Sequence, residues 1–316
     1  MATSVIGIVN QKGGVGKTTT AVNLAACLAE KRKRMLLVDM DPQANATSGL
    51  GVARQSGVSI YRVLTGQMTA EQAVLATEVK HLDLIPSEID LAGAEIEIAR
   101  GDHYLHRLRD ALAGLIASGA YDCVFVDCSP SLSLLTMNVL AACEALIIPI
   151  QCEYYALEGL TVMARIVEQM RESGTNPRLE IEGIVMTMYD LRTNLSRQVV
   201  QEVVTHFGNK VYETVIPRNV RLAEAPSHGK PIILHNPFCT GAVAYRQLAA
   251  EFLTRRGDAS GTPRPALGRG LADMPRATTT FGVPDENPRQ ATAPLANVAR
   301  EPALAVADNG SLADHE

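Results

Sequence analysis

Asn10-Gln11-Lys12-Gly13-Gly14-Val15-Gly16-Lys17-Thr18-Thr19-Thr20 decides how the rest of the chain is read. A phosphate-binding loop needs a glycine, four free positions, a second glycine, then Lys and Ser/Thr. Gln11 stands where the first glycine belongs, so the strict pattern fails by one residue. The physics survives. Gly13, Gly14 and Gly16 let the backbone curl so that its N–H groups, Val15 among them, face phosphate oxygens. Lys17 can reach the β- and γ-phosphates, and Thr18 offers a hydroxyl to Mg²⁺. The flanks supply the context. Ser4–Val9 is a β-branched, apolar run of the kind that forms a buried parallel strand. Ala21, Leu24, Ala25 and Leu28 then recur at helical spacing, so Thr18–Ala29 is expected to be a helix whose N-terminus faces the anion.

Lys12 is extra to that motif. A lysine there points away from its own phosphate pocket, and a facing subunit could present it to nucleotide in trans, as arginine fingers do. Phosphoryl transfer also needs a held metal and an aimed water. Two further apolar runs end in acids: Met35–Pro42 carries Asp39 and Asp41, and Tyr121–Asp127 ends in Asp127. In open α/β sheets, ligands bind beyond the carboxyl ends of the strands. All three acids therefore fall on the edge that carries the loop.

Strand-like runs recur near residues 4–9, 35–39, 82–85, 122–126, 145–150, 181–187 and 211–216. Helical patterns lie between most of them, for example at 104–117, 156–173 and 195–207. The alternation predicts an α/β fold: a mostly parallel sheet with helices on both faces, P-loop NTPase-like, in a single domain.

The loop at Lys12–Thr19, the Val38–Gln43 segment and Asp127-Cys128-Ser129-Pro130-Ser131-Leu132 together resemble the ParA/Soj chromosome- and plasmid-partitioning ATPases, part of the deviant P-loop group that includes MinD. Gln151–Gly159, Thr187–Asn194, Ile216–Arg221 and Glu224–Pro231 resemble further blocks of that family in the same order. The resemblance implies a cytoplasmic, nucleoid-associated enzyme that hydrolyses ATP with Mg²⁺. Its ATP-bound sandwich homodimer would bind double-stranded DNA non-specifically and be triggered by a ParB-type partner. It implies that Lys12 bridges to the partner subunit's phosphates and that Gly13, Gly14, Val15, Gly16, Lys17, Thr18 and Thr19 wrap the phosphates. Asp41 would position the attacking water, and Asp39 nearby would join Thr18 and Asp127 at the metal, Asp127 acting through water. Pro217 and Asn219 would lie against the adenine, and Arg192 and Arg221 would contact DNA. The family more often has Gly where Ala44 stands, and Pro and Gly where Ser129 and Ser133 stand. These small exchanges bear on loop stiffness.

Composition sets bounds on the reading. The chain has 316 residues, 47% of them hydrophobic and 20% charged, enough for a sizeable core. No apolar run reaches the roughly 18 residues of a membrane span. Six scattered cysteines show no metal-ligand spacing and read as core residues of a reduced compartment. The formal net charge of −5 argues against nucleic acid, but its distribution does not. Residues 192–256 carry nine Lys/Arg against four Asp/Glu, whereas residues 1–191 carry fifteen against twenty-two. A basic C-terminal half could face phosphates, doubled in a dimer.

Composition shifts at Gly257, and residues 257–316 are expected to form a disordered Pro/Ala/Gly-rich tail after a domain spanning 1–256. Its Leu267-Gly268-Arg269-Gly270-Leu271 string resembles the N-terminal peptide of ParB. The alternative reading is a membrane-associated positioning ATPase like MinD. That needs a basic amphipathic helix near the C-terminus, which the tail does not offer, so no membrane partner is expected. The chain begins directly at its first strand, so neither a signal peptide nor an operator-reading helix-turn-helix is expected ahead of it.

Overall fold

The computed structural model describes residues 3–53 and 57–257. The tail and its Leu267–Leu271 string lie outside the described residues. Seven strands form one sheet: β1 (Ser4–Ile8), β2 (Met35–Met40), β3 (Leu75–Ala76), β4 (Leu82–Ile85), β5 (Cys123–Cys128), β6 (Ala145–Gln151) and β7 (Glu180–Thr187). Their spatial order is β3-β4-β2-β5-β1-β6-β7. Every pairing is parallel except the short β3–β4 contact at the edge.

β2 and β5 lie inside the sheet, and every residue of both is buried. That is why their sequences are nearly unbroken apolar runs rather than alternating ones. Successive side chains feed two separate cores. Ile6, Ile8, Met35, Leu37 and Phe125 join the one packed beneath α1 (Lys17–Glu30), α2 (Asn45–Gly49), α9 (Val220–Glu224), α10 (Ile232–His235) and α11 (Thr240–Arg255). Val5, Val9, Leu36, Val38, Val124 and Val126 join the other. It is covered by α3 (Ile60–Leu64), α4 (Ala94–Ala99), α5 (Arg107–Ser118), α6 (Leu134–Ala142), α7 (Ala156–Glu172) and α8 (Asn194–Phe207). Helices thus cover both faces, as expected for parallel β–α–β units.

The long helix α11 returns to α1. Phe252 meets Phe125 edge to face at 5.9 Å between ring centroids, and the Tyr245 hydroxyl lies 3.2 Å from that of Thr20. This packing fixes the helix that carries the phosphate loop.

One expected strand is absent. Residues 211–216 make only an isolated bridge from Val211 to Ile184, and Pro217 makes another to Tyr189. Tyr212 N–H donates to Ile184 O at 2.9 Å and Ile216 N–H to Met186 O at 2.8 Å. The segment therefore touches β7 at both ends without forming a ladder between them. Its apolar side chains, such as Tyr212 and Ile216, are buried in the core under α11, and that burial produced the strand-like pattern.

Candidate nucleotide site

The loop between β1 and α1 is held open by its own glycines. Gly14 has φ 75° and Gly16 has φ 88°, in the left-handed region that side chains with a Cβ rarely adopt. Gly16 is the residue before the first turn of α1, so the loop runs straight into a helix N-terminus.

Asn10 pins the start of the loop. Its side-chain amide donates to Pro149 O on β6 at 2.8 Å, and its Oδ1 accepts from Lys12 N–H at 2.9 Å. At the far side Thr187, ending β7, bonds through its hydroxyl to Val15 O at 2.8 Å and to Ile150 O at 3.0 Å. The loop is thus stapled to the carboxyl ends of β6 and β7.

Lys17 is 7% exposed and its Nζ donates to Lys12 O at 3.0 Å, so the ammonium folds back over the loop. Burial pushes its pKa down, opposed by the charges of Asp127, Cys128 and Asp41. Lys12 goes the other way. Its Nζ lies 2.8 Å from Glu153 Oε2 at the rim, with both side chains about half exposed (48% and 46%).

The acids divide as well. Asp39 and Asp127 are register neighbours across β2 and β5, and both are fully buried. Both oxygens of Asp39 are taken by protein donors. Oδ2 accepts from Thr47 N–H at 2.8 Å and from the Thr47 hydroxyl at 2.7 Å, and Oδ1 accepts from Asp41 N–H at 3.2 Å. Burial nevertheless raises its pKa to about 6. Asp127 has no hydrogen-bond partner on either oxygen. Burial raises its pKa well above the ordinary value, the charge of Asp39 adds to the shift, and Thr18 beside it opposes it.

An orphaned buried carboxylate next to the Thr18 hydroxyl is a poor end state for a folded protein but a good half-site for a hard cation. Thr18 and Asp127 therefore fit Mg²⁺. Asp39, also expected at the metal, accepts hydrogen bonds on both oxygens from the start of α2 and the Asp41 backbone. Asp41, 6% exposed, accepts from Gln43 N–H at 2.9 Å, which closes the turn that aims it. Ala44, where a glycine was expected, sits in this turn at φ 52°, so the substitution leaves the turn in a left-handed conformation that costs an L residue energy.

The remaining expected residues lie on the rim beyond β7. Pro217 bridges to Tyr189, and Asn219 Oδ1 accepts from Arg221 N–H at 2.8 Å while its amide donates to Thr240 at 2.7 Å. Asn219 thereby caps α9. Arg192 is exposed on the turn after β7, and Arg221 is exposed in the first turn of α9. Two contributors were missed from sequence, Thr47 and Glu153. Glu153 stood inside the block Gln151–Gly159, but only its contact with Lys12 gives it a function. Thr47 lies eight residues beyond Asp39 in a stretch with no motif of its own.

A glycine loop that feeds a helix, with its lysine, threonine and an unpaired buried acid on one sheet edge, defines a P-loop nucleotide-binding protein. Comparison with known proteins narrows this. A family model described as an AAA domain matches residues 3–181. The chain is 51% identical over 255 residues to the chromosome partitioning protein ParA of Caulobacter vibrioides, covering 80% of this chain and 95% of that one. It is 52% identical over 248 residues to the sporulation initiation inhibitor protein Soj of Bacillus subtilis, covering 78% and 97%. Among solved structures, cobyrinic acid a,c-diamide synthase from Mycobacterium smegmatis, with bound ATP analogue and magnesium, superposes with a TM-score of 0.69 at 37% identity, over 81% of this chain and 96% of that one. The septum site-determining protein MinD from Pyrococcus horikoshii, complexed with Mg-ADP, superposes with a TM-score of 0.65 at 26% identity, over 79% and 95%. The chain belongs to the ParA/Soj family of chromosome-partitioning ATPases. No helix among the described residues is long and apolar enough to cross a membrane.

Proposed function

We propose that the protein is an ATP-switched DNA-partitioning enzyme whose ATP-bound homodimer coats DNA non-specifically and is released when a ParB-type partner stimulates hydrolysis. The observation that carries this reading is the opposed placement of two lysines on one loop. Lys17 fills its own pocket, while Lys12 reaches outward to Glu153 at the rim. A cation in that position is available to a nucleotide in a facing subunit.

In this reading the N–H groups of Gly13–Thr19 cradle the phosphates, and Lys17 neutralises the transferring group. Thr18 and Asp127 hold Mg²⁺, which when bound would offset charge on the β- and γ-oxygens. Asp41 orients the attacking water, and Asp39 keeps the Asp41 backbone in place. Pro217 and Asn219 lie along the adenine side, and Arg192 and Arg221 meet the DNA backbone without reading sequence, in a salt-sensitive way.

Sedimentation with ADP, with ATP, and with ATP plus double-stranded DNA tests it. A dimer is expected only with ATP, and DNA co-sedimentation only with that dimer. Lys12→Ala is expected to abolish the ATP-dependent dimer; a dimer of normal affinity in that variant would remove the trans role. Asp41→Ala is expected to hold the ATP dimer on DNA, and wild-type hydrolysis in it would exclude Asp41 from the chemistry. Adding a ParB-type protein with its DNA should raise turnover; no change would separate this chain from that partner.

A further inference from the structure

Three arginines share one strip of the rim, and they are not equally available. The loop after β7 and the segment before α9 are laced together. Tyr189 N–H donates to Ile216 O and Arg218 N–H donates to Tyr189 O, each at 3.0 Å. This sets the turn that carries Arg192 against the segment that carries Arg218 and runs into α9, whose first turn carries Arg221. Arg192 is 85% exposed, yet its fork is occupied: Nε meets Asp190 Oδ1 at 2.9 Å and Nη2 meets Asp190 Oδ2 at 2.7 Å. Arg221 Nη1 is held by Glu224 Oε2 at 2.7 Å. The exposed Arg218 side chain has no hydrogen-bond or ion-pair partner among the described residues.

The Asp190–Arg192 pair has the two-pronged geometry that a guanidinium also uses on a phosphate. The same two N–H groups cannot serve both. Asp190 is well placed to hold them: the Arg192 hydrogen bonds push its pKa down to about 2, with the Arg218 charge adding to the effect, so it is ionised at every physiological pH.

We propose that Asp190 is a built-in competitor for the DNA backbone, standing in the Arg192 fork where a phosphate would sit and so weakening non-specific DNA binding. Arg218, unpaired on the segment laced to this turn, then meets the first phosphate, and Arg192 joins only as Asp190 is displaced. This rests on the DNA-binding reading above. A weakened grip suits a protein that must leave DNA when its nucleotide state changes.

Asp190→Asn is the discriminating variant. Asparagine keeps the Oδ1 acceptor that now takes the Arg192 N–H at 3.0 Å, so the local turn is retained while the charge is lost. Binding of the full chain with ATP and Mg²⁺ to random-sequence duplex DNA would be measured over a salt series. The set is wild type, Asp190→Asn, Arg192→Ala and the double variant. Because exposed ion pairs are weak, Asp190→Asn is expected to bind about two- to fivefold tighter. Its slope of log affinity against log salt should steepen by about 0.9 for each additional phosphate that an arginine neutralises. In the Arg192→Ala background the tighter binding should vanish.

An improvement that persists undiminished without Arg192 would mean only that a negative charge was removed, and it would overturn the proposal. So would unchanged binding in Asp190→Asn. Arg218→Ala should flatten the salt slope by about 0.9 per subunit, and an unchanged slope would take Arg218 off the surface. A wild-type chain that dimerises with ATP but binds no DNA would instead overturn the underlying DNA reading.

Discussion

Lys12 and Lys17 stand five residues apart on one loop and are held in opposite ways. Lys17 is buried, bonded to backbone and within reach of the charges of the buried groups Asp127, Cys128 and Asp41. The Lys12 side chain is half exposed and held by the half-exposed Glu153. The rim arginines Arg192 and Arg221 follow Lys12, each gripped by a neighbouring acid, Asp190 and Glu224 respectively. The interior is committed before any ligand arrives. At the rim Lys12, Arg192 and Arg221 are held by surface ion pairs that cost little to open. Nucleotide chemistry needs the first kind of construction, because a preorganised site does not reorganise at the moment of reaction. Coupling to a second subunit or to DNA needs the second.

The largest effect expected from breaking this division comes from Lys17→Ala. It removes the one cation placed inside the pocket, and loss of a positioned cation on a transferring phosphoryl group costs on the order of 10³-fold in turnover. Lys12 should not substitute, because its side chain points to the rim. Single-turnover hydrolysis decides this. Residual activity within about tenfold of wild type would mean that the two lysines are interchangeable and the division false.

Next in size is Thr47→Val, which tests whether the interior is rigid or merely crowded. The Thr47 hydroxyl donates to Asp39 and accepts from Ser87 N–H at 3.0 Å, all of it buried. Valine fills the same volume but leaves a buried carboxylate oxygen and a buried N–H short of partners. A stability loss of about 2–4 kcal/mol is expected from the two together. Thr47→Ser should recover most of it. Equilibrium denaturation of the nucleotide-free protein measures both, and a loss below about 0.5 kcal/mol in Thr47→Val would show that water or a rearranged loop satisfies these groups.

The sequence made the interior legible and left the rim partly hidden, for a physical reason. Strand-then-acid runs such as Val38-Asp39 and Val126-Asp127 carry their burial in their composition, so β2, β5 and the sheet edge could be placed without coordinates. The same runs could not show that Asp39 and Asp127 differ. That difference depends on Thr47, eight residues away, reaching back to one acid and not to the other. Residues 211–216 misled as a strand because packing under α11 imposes an apolar pattern whether or not a ladder forms. At the rim the cations were visible and their holders were not. An ion pair between residues 12 and 153 leaves no periodicity in the sequence.

Glu153→Gln gives the smallest effect and is the sharpest test of the rim. Glu153 Oε2 holds Lys12, while its Oε1 accepts from the Gln151 amide at 2.6 Å, so glutamine can keep the side chain in place while weakening its hold on the lysine. If Lys12 must leave Glu153 to engage a facing nucleotide, a symmetric dimer breaks the pair twice. An exposed pair is worth about 0.2–1 kcal/mol. Releasing two would tighten ATP-dependent dimerisation by roughly 0.4–2 kcal/mol, or about 2- to 30-fold. The effect should shrink with added salt, since both groups are open to screening. Sedimentation equilibrium with ATP across a salt series reads both. Weaker dimerisation in Glu153→Gln would assign Glu153 to the subunit interface itself, and Lys12 would then be positioned by it rather than withheld.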